Sequence, residues 1–191
     1  WYGFWTYYLY SGDKKPIEDL YPGVKKYLGV WKIGDDGLVI HRPGGWDWTD
    51  WGENKDVPVI ENAFFYLALK AAAEMAKLTG NDADIPDYTA KMKSIEDNFN
   101  AEFWTGSKYH SPGHQGETDD RANAMAVVAG LAKEEYYKDI QNVLKQEFHA
   151  SPYMEKYVGE ALYLMGEPNQ AVERIKNRYM EQIESPITTL W

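Results

Sequence analysis

The segment GGWDWTDWGEN, Gly44 to Asn54, places three carboxylates and three tryptophans within eleven residues. The carboxylates of Asp47, Asp50 and Glu53 can supply acid and base groups. Cleavage of a glycosidic bond uses one carboxyl to protonate the leaving oxygen and another, about 6.5 to 9.5 Å away when configuration inverts, to activate water. Neighbouring carboxylates also push one another's pKa values apart, which suits this division of roles. Two alternatives stay open: Asp47 and Asp50 bind backbone amides of the glycine-rich loop, or they hold sugar hydroxyls without transferring protons.

The tryptophans of the same segment are candidates for sugar stacking, because their large flat faces suit the walls of ring-binding clefts. Trp46, Trp48 and Trp51 cannot all face one way in a short loop, so at least one of them is expected to pack against the fold. Trp48 and Trp51 flank the acids most closely. Trp51 is the favoured stacking platform, with burial in the core as the alternative.

A second group of candidates lies at the starts of predicted helices. The imidazole of His149 can hydrogen-bond a hydroxyl there, or it can serve as a capping or packing side chain. Asp119, Asp120 and Arg121 are interpreted first as helix caps and second as substrate contacts. Glu155, one turn into its helix, points into the lumen of the fold or pairs with its neighbouring lysine or solvent.

Composition excludes several classes of function. With 20 basic and 30 acidic residues, the net charge of -10 argues against nucleic acid as a partner, since phosphate binding needs a positive surface. The sequence contains no apolar run long enough to span a bilayer, and no cysteine for disulfide or thiol chemistry. It also lacks a metal-ligand pair at helical spacing, a phosphate-binding loop and a dinucleotide fingerprint, so no cofactor is expected. The compartment stays open, whether cytoplasmic, periplasmic or extracellular.

The elements that must position these residues are helices, and they alternate in type. Every second helix is apolar nearly all round, as expected of a buried helix, and the others carry one apolar stripe. The apolar type covers Tyr2 to Tyr10, Val57 to Thr79, Arg121 to Ala132 and Pro152 to Met165. The striped type covers Pro16 to Ile33, Pro86 to Trp104, Glu134 to Phe148 and Pro168 to Ile183. Asp56 and Gly80 are the expected N-cap and C-cap of the second apolar helix.

This alternation predicts an all-α ring of helical hairpins, with inner helices lining the middle and outer helices coating them. An open superhelix of helical pairs is the competing architecture, and the irregular repeat length counts against it. The links from outer to inner helices are the longer or more unusual ones, and antiparallel hairpins send them all to one end. The segment after Gly34, the loop after Thr105, the turn at Phe148 and the tail ending in Trp191 therefore share one rim. We expect a cleft lined by tryptophans and carboxylates at this rim.

Several motifs together resemble a known family. YLYSGDKKPIEDLYPGVKKYL, WDWTDWGEN, AFFYLALKAAAEMAKLTGNDAD, NFNAEFW, DDRANAMAVVAGLA, FHASPYMEKYVGEALYLMG and SPITTLW, in this order, resemble the catalytic domain of bacterial α-L-rhamnosidases, glycoside hydrolase family 78. The resemblance implies an (α/α)6 toroid, of which residues 1–191 supply about four of six hairpins as one partial domain. It also implies an inverting mechanism and a glycan with terminal α-linked rhamnose as the partner.

The resemblance extends to individual residues. It implies that Asp50 and Trp51 match the family's substrate-contacting Asp-Trp pair, and it carries over Trp5, His149 and Trp191 more weakly. The family's general acid lies in an Arg- and Glu-containing segment that has no counterpart between residues 1 and 191, and its base follows the Thr-Thr-x-Trp ending. We therefore expect a fragment that forms one wall of the sugar pocket, is inactive alone and self-associates through the open edge of its ring.

Two alternative functions remain open on the sequence alone. The first is a non-catalytic helical module that binds carbohydrate or another protein through its tryptophan-rich rim. The second is another six-hairpin glycosidase with a different sugar specificity.

Overall fold

The computed structural model describes residues 1–44, 47 and 49–187, and its regular structure there is helical. Short 3-10 turns at Asp82–Asp84 and Glu134–Tyr136 precede α4 and α6, and two isolated β-bridges pair Ile33 with Val39 and Trp104 with Tyr109. The described residues form eight α-helices, which are α1 Phe4–Ser11, α2 Lys15–Leu28, α3 Val57–Thr79, α4 Ile85–Phe103, α5 Asp120–Ala129, α6 Tyr137–Gln146, α7 Pro152–Leu164 and α8 Pro168–Glu184.

In the part of the chain that the structure describes, the helices form four consecutive hairpins, each with an inner and an outer member. The inner helices α3, α5 and α7 pack side by side in that order, and each also packs against the outer helix that follows it. Helix α2 packs on α3, and α1 contacts both α2 and α3. The predicted all-α architecture of alternating inner and outer helices is therefore confirmed, with four hairpins present.

Helix α3 shows how the sequence sets the length of an inner helix. It begins with Pro58 in its first turn and ends at Gly80, which adopts a left-handed φ of 70° as a C-cap. Both ends agree with the prediction. Asp56 occupies the predicted N-cap position, but its carboxylate makes no capping hydrogen bond and accepts one from the Ser111 amide at 2.7 Å instead. The Asp56 carboxylate therefore binds an amide of a distant loop instead of an amide in the first turn of α3.

Burial follows the predicted difference between inner and outer helices. Helix α3 buries residues around most of its circumference, and the alanines of α3 and α5 keep these neighbouring helices close. The outer helix α4 buries one stripe, formed by Tyr88, Ile95, Phe99 and Phe103. The core therefore lies between the two layers and along the contacts between inner helices.

Helix α1 departs from the prediction that it is buried on every side. None of its residues is buried, and Tyr10 is 92% exposed. An apolar surface is buried only where another element packs on it, and the helices that pack most on α1 are α2 and α3. The segment before α1 reaches α7, because the Tyr2 hydroxyl donates to Glu160 Oε1 at 2.8 Å.

Other helices end earlier than their apolar patterns suggest. Helix α2 ends at Leu28 rather than Ile33, because the residues that follow form a turn and the bridge between Ile33 and Val39. Helix α5 ends at Ala129 rather than Ala132, where Gly130 adopts a φ of 79°. In each case the apolar run continues into a packed loop, so its end does not mark the end of the helix.

The links from outer to inner helices, residues 29–56, 104–119 and 147–151, gather at the amino-terminal ends of α3, α5 and α7. Hydrogen bonds join the first link to each of the other two. Among the residues that the structure describes, no helix is long and apolar enough to cross a membrane.

Candidate functional site

The rim of the fold is organised by the buried side chain of Arg121, which is 1% exposed. Its Nε donates to Asp119 Oδ1 at 2.7 Å, and its Nη1 donates to Asp50 Oδ2 at 3.0 Å. The same Nη1 donates to the Trp51 carbonyl at 3.1 Å, and Nη2 donates to the Asn54 carbonyl. Arg121 thus fixes the backbone of the carboxylate-rich loop to the start of α5.

Asp50 is part of this buried network. The residue is 2% exposed, and its Oδ2 accepts the backbone amide of Ser151 at 2.8 Å while its Oδ1 accepts the Ser151 hydroxyl. The carboxylate therefore links the loop to the amino terminus of α7 as well as to α5. Of the roles left open by the sequence, binding of a backbone amide is the one that this geometry displays, and contact between Asp50 and substrate stays a prediction.

The other two acids of the loop differ in their surroundings. Asp47 accepts hydrogen bonds from the Thr49 amide at 3.0 Å and hydroxyl at 2.7 Å, and its Oδ2 lies 3.1 Å from Lys55 Nζ. Partial burial acts to raise the pKa of Asp47, but these hydrogen bonds and the Lys55 charge outweigh it and lower the pKa. Glu53 is exposed to solvent. Asp47 is thus held as an anion, which fits a hydrogen-bond acceptor better than a proton donor.

Trp51 lies beside these acids with 62% of its surface exposed. Its backbone is held by Arg121, so an exposed ring is carried on a fixed main chain. Trp46, Trp48 and Trp191 lie outside the described residues, and their predicted roles stay predictions.

A second buried arginine, Arg174 of α8, joins the starts of α5 and α7 to the outer layer. Its Nε donates to Glu155 Oε1 at 2.6 Å, and its Nη2 donates to Glu155 Oε2 at 3.2 Å and to Asp120 Oδ2 at 2.5 Å. Both interpretations of Glu155 are therefore wrong, since its carboxylate points to the outer layer and neither enters the lumen nor pairs with Lys156. The guanidinium of Arg174 on α8 draws the Glu155 carboxylate toward the outer layer.

Asp119 follows its first interpretation as a helix cap, whereas Asp120 is the first residue of α5 and binds the third link and Arg174 instead. The Asp119 carboxylate caps α5 by accepting the Arg121 amide at 3.0 Å, and it also accepts the Asp56 amide at 2.9 Å. Burial raises the pKa of Asp119, against the opposing charge of Arg121. Asp120 accepts the His149 amide at 3.2 Å, so the third link is tied to the same rim.

His149 lies where the sequence predicted it, at the rim and next to the start of α7. Its side chain is 22% exposed, and its Nε2 lies 3.3 Å from Glu147 Oε2 and 3.5 Å from Glu117 Oε2. The imidazole therefore faces carboxylates from two links. A contact between His149 and substrate stays a prediction.

Trp5 lies apart from this loop. It is half-buried in α1, with its ring 5.4 Å from that of Tyr8, and lines an apolar groove with Phe4, Val24 and Met75. The cleft that Asp47 lines has no contribution from Trp5 among the described residues. The structure thus brings Asp50, Trp51 and His149 together at the rim and leaves Trp5 in a different groove.

A cleft of about 400 Å³ opens next to the loop, between the end of α2 and the inner helices α3 and α7. Aromatic side chains and ionisable groups share its lining, which includes Trp31, Arg42, Asp47, Glu61, Phe64 and Tyr153. The Arg42 guanidinium lies 5.2 Å from the centre of the Trp31 ring. No cluster of His, Cys, Asp and Glu that could hold a metal ion occurs in the described ranges.

Glu61, in the first two turns of α3, is a second carboxylate that lines this cleft, with Asp47. Its side chain is 7% exposed, and its Oε2 lies 2.9 Å from Nδ1 of His41, whose side chain is 50% exposed. Burial raises the pKa of the Glu61 carboxyl, and the charge of Asp47 adds to this against the charges of His41 and Arg42. The cleft thus combines one acid with a lowered pKa and one with a raised pKa.

The sequence interpretation assigned no site role to Glu61 and did not recognise Arg121 as the organiser of the rim. A signal for both was present, because each is an ionisable residue near the start of a helix that is predominantly apolar. Such a residue must find a partner or a function inside the fold, since a buried charge without compensation is costly. Its partner could not be read from the sequence, because it comes from a distant segment.

Comparison with known proteins places this geometry in a family. Residues 2–191 match the bacterial alpha-L-rhamnosidase 6 hairpin glycosidase domain. An alpha-L-rhamnosidase of Formosa agariphila is 25% identical over 157 residues, which cover 75% of this chain and 16% of that protein. One from an Alteromonas species is 26% identical over 110 residues, which cover 52% of this chain and 12% of that protein.

Solved structures share the fold. The family 78 rhamnosidase of Bacillus sp. GL1 superposes with a TM-score of 0.82 at 23% identity, covering 98% of this chain and 21% of that one. The Klebsiella oxytoca rhamnosidase, solved with rhamnose bound, gives a TM-score of 0.83 at 17% identity, covering 98% and 38%. The chain spans less than a fifth of the length of the curated relatives that it matches. Because the family match covers nearly the whole chain, this chain belongs to the bacterial α-L-rhamnosidase six-hairpin glycosidase domain family.

Proposed function

We propose that this chain forms one wall of the sugar pocket of an inverting α-L-rhamnosidase, which hydrolyses terminal α-L-rhamnosyl linkages. The observation that carries the proposal is the rim, where the loop of Asp47, Asp50 and Trp51 is fixed beside an aromatic cleft in a domain of the rhamnosidase family. The share of the relatives that the chain covers leaves room for other segments to contribute to the same pocket.

The charges in the cleft support a neutral substrate. The carboxylates of Asp47 and Glu61 face the cations of Lys55 and Arg42 and the imidazole of His41, so neither sign dominates. Carboxylates and cations of this kind accept and donate hydrogen bonds to hydroxyl groups, while aromatic faces cover the apolar side of a sugar ring. A polyanion would find no excess of positive charge here.

Asp47 and Asp50 are not arranged for acid-base chemistry, whereas Glu53 is exposed and its role is tested below. Asp50 is engaged on both oxygens by Arg121 and Ser151, and Asp47 is engaged by Thr49 and Lys55. Proton transfer needs a carboxyl that is free to reach the reacting oxygen. The chain therefore holds and orients sugar, and the proton donor and the base of the complete enzyme come from other residues.

The proposal is tested by separating sugar binding from turnover. Titration calorimetry or NMR should show that the 191-residue chain binds L-rhamnose in preference to D-glucose and D-mannose. The same chain should release no nitrophenol from 4-nitrophenyl α-L-rhamnopyranoside, whereas the longer protein that contains it should release it. Both assays of the 191-residue chain use the same protein preparation. Sugar binding therefore shows that the chain is folded, so a lack of hydrolysis is not caused by unfolding.

Each other result points to a different function. Hydrolysis by the 191-residue chain would mean that Asp47, Asp50 or Glu53 performs acid-base work. Preference for another sugar, with turnover of the matching aryl glycoside by the longer protein, would indicate a six-hairpin glycosidase of different specificity. Binding of sugar or of a protein without any turnover by the longer protein would indicate a non-catalytic module.

A further inference from the structure

Six carboxylate side chains are buried in the described part of the chain, and their partners differ in strength. The guanidinium groups of Arg121 and Arg174 pair with four of them, and the fifth accepts a backbone amide from Ser111. These five are Asp50, Asp119, Asp120, Glu155 and Asp56. The first four are thus compensated by a cation within the fold, whereas Asp56 accepts only a neutral amide and its Oδ1 has no hydrogen-bond partner among the described residues.

Glu61 is the sixth. It pairs with no arginine or lysine in the ranges that the structure describes, and unlike Asp56 it lines the cleft. Among the described residues it has one hydrogen-bonding partner, the imidazole of His41, which is half exposed and bears a full charge only when protonated. Arg42 is close enough to affect Glu61 but lies over the Trp31 ring instead of pairing with the carboxylate. A buried carboxylate in such surroundings costs stability, and groups of this kind are concentrated at functional sites.

The position of Glu61 gives this carboxylate access to a ligand. It lines the cleft of about 400 Å³ together with Trp31, Phe64 and Tyr153, so a molecule in the cleft meets an acceptor next to aromatic rings. A carboxylate accepts hydrogen bonds from hydroxyl groups, and two adjacent hydroxyls of a sugar match its two oxygens. The mixed charges of the lining disfavour an ionic ligand.

We propose that Glu61 is a sugar-binding residue of this pocket, whose carboxylate accepts hydrogen bonds from hydroxyl groups of the sugar bound in the cleft. The inference rests on the proposed function in that it takes the ligand to be a neutral sugar. It adds a specificity determinant in α3 to the loop residues at the rim. Glu61 determines which hydroxyl pattern is accepted and takes no part in proton transfer to the glycosidic oxygen.

The test compares Glu61→Gln with Glu74→Gln in the 191-residue chain. Glu74 lies in the same helix near its far end, where its partly exposed side chain pairs with Lys77. Affinities for L-rhamnose, D-glucose, D-mannose and L-fucose are measured by calorimetry or NMR, and thermal melting is followed in parallel. Glu61→Gln should weaken binding of the preferred sugar by about tenfold, as expected when an ionised acceptor becomes neutral, and Glu74→Gln should leave it unchanged.

Thermal melting separates sugar binding from a structural role. Because glutamine keeps the shape and removes a poorly compensated charge, the melting temperature of Glu61→Gln should stay the same or rise. Unchanged sugar affinity with a lowered melting temperature, or loss of folding, would show that the pair with His41 is structural and would overturn the inference.

The same measurements distinguish this inference from the proposed function. If the chain prefers a sugar other than rhamnose and Glu61→Gln weakens that binding, the role of Glu61 stands and the rhamnoside specificity fails. If rhamnose binds equally well to both variants and the unchanged chain, the rhamnoside function stands and the role of Glu61 fails. Absence of binding to any of the four sugars would overturn both.

Discussion

Asp50 and Arg121 lie 71 positions apart in the sequence and meet in a buried ion pair, with Arg121 Nη1 at 3.0 Å from Asp50 Oδ2. Neither side chain is more than 1% exposed. The pair connects the loop that carries Trp51 to the start of α5, and Ser151 extends the connection to α7. The most acidic and aromatic segment of the chain is therefore positioned by one arginine from the next hairpin.

Removal of Asp50 should destabilise the chain strongly. Asp50→Ala leaves part of the buried Arg121 charge without a partner, which typically costs about 3–5 kcal/mol of unfolding free energy. Urea denaturation followed by circular dichroism measures the change. The exposed pair between Lys93 and Asp97 provides the control, and Asp97→Asn should have little effect. A loss for Asp50→Ala as small as that of the control would contradict a role of Asp50 in holding the rim together.

Much of the fold could be predicted because helices that bury one face or all faces differ in the spacing of their apolar residues. Helix α3 was predicted with both of its ends, since an apolar pattern, Pro58 and Gly80 all gave the same bounds. Helix α1 was predicted in position but not in burial, because its pattern does not reveal how many neighbours cover it. Periodicity reports what a helix can bury, and packing decides what it does bury.

The site could be predicted only as far as the rim. The order of long and short links placed Asp50 and His149 at one end, and the hydrogen bonds of Ser151 and Asp120 show that they are close there. The partners of these residues were not predictable, because an arginine at position 121 is compatible with many acids. Ion pairs between hairpins depend on side-chain geometry that a single sequence does not encode locally.

Replacement of Trp51 should affect sugar binding more than stability. Its ring is 62% exposed, so Trp51→Ala removes little buried surface, and the melting temperature should change by no more than about 2 °C. Loss of a stacking face should weaken binding of L-rhamnose by about tenfold. Tyr163→Ala, which removes a 56% exposed aromatic ring at the far end of α7, serves as the control. If Trp51→Ala mainly lowers the melting temperature and leaves affinity intact, the ring is part of the core.

The raised pKa of Glu61 predicts a pH-dependent difference in stability between the chain and its Glu61→Gln variant. Burial disfavours the ionised carboxyl in the folded state, whereas an unfolded chain ionises it with a pKa of about 4.3. The contribution of Glu61 to stability is therefore greatest below that value and decreases as pH rises through the raised folded-state pKa. Melting temperatures of the two proteins should converge below about pH 4 and separate above it, with the variant more stable.

The charged neighbours of Glu61 provide the control for this pH series. Protonated His41 and Arg42 favour the ionised carboxyl, and Asp47 disfavours it. His41→Gln removes the imidazole that favours the ionised carboxyl, and in that background the stabilising effect of Glu61→Gln should become larger. A Glu61→Gln variant that is less stable than the unchanged chain at neutral pH would contradict a raised pKa for Glu61.

The exposed apolar surface of α1 should drive self-association of the chain. Tyr7, Leu9 and Tyr10 are 47%, 62% and 92% exposed, and contiguous apolar surface of this kind on a soluble chain is usually covered by another surface. Sedimentation should give a weight-average mass above the 22.0 kDa of one chain, which increases with protein concentration. Leu9→Ser combined with Tyr10→Ser should return the mass to that of one chain, because it removes the apolar area that association would bury. Ile183→Ser, at a 66% exposed position on the outer helix α8, should not do so, and an equal effect of this control would place the contact elsewhere.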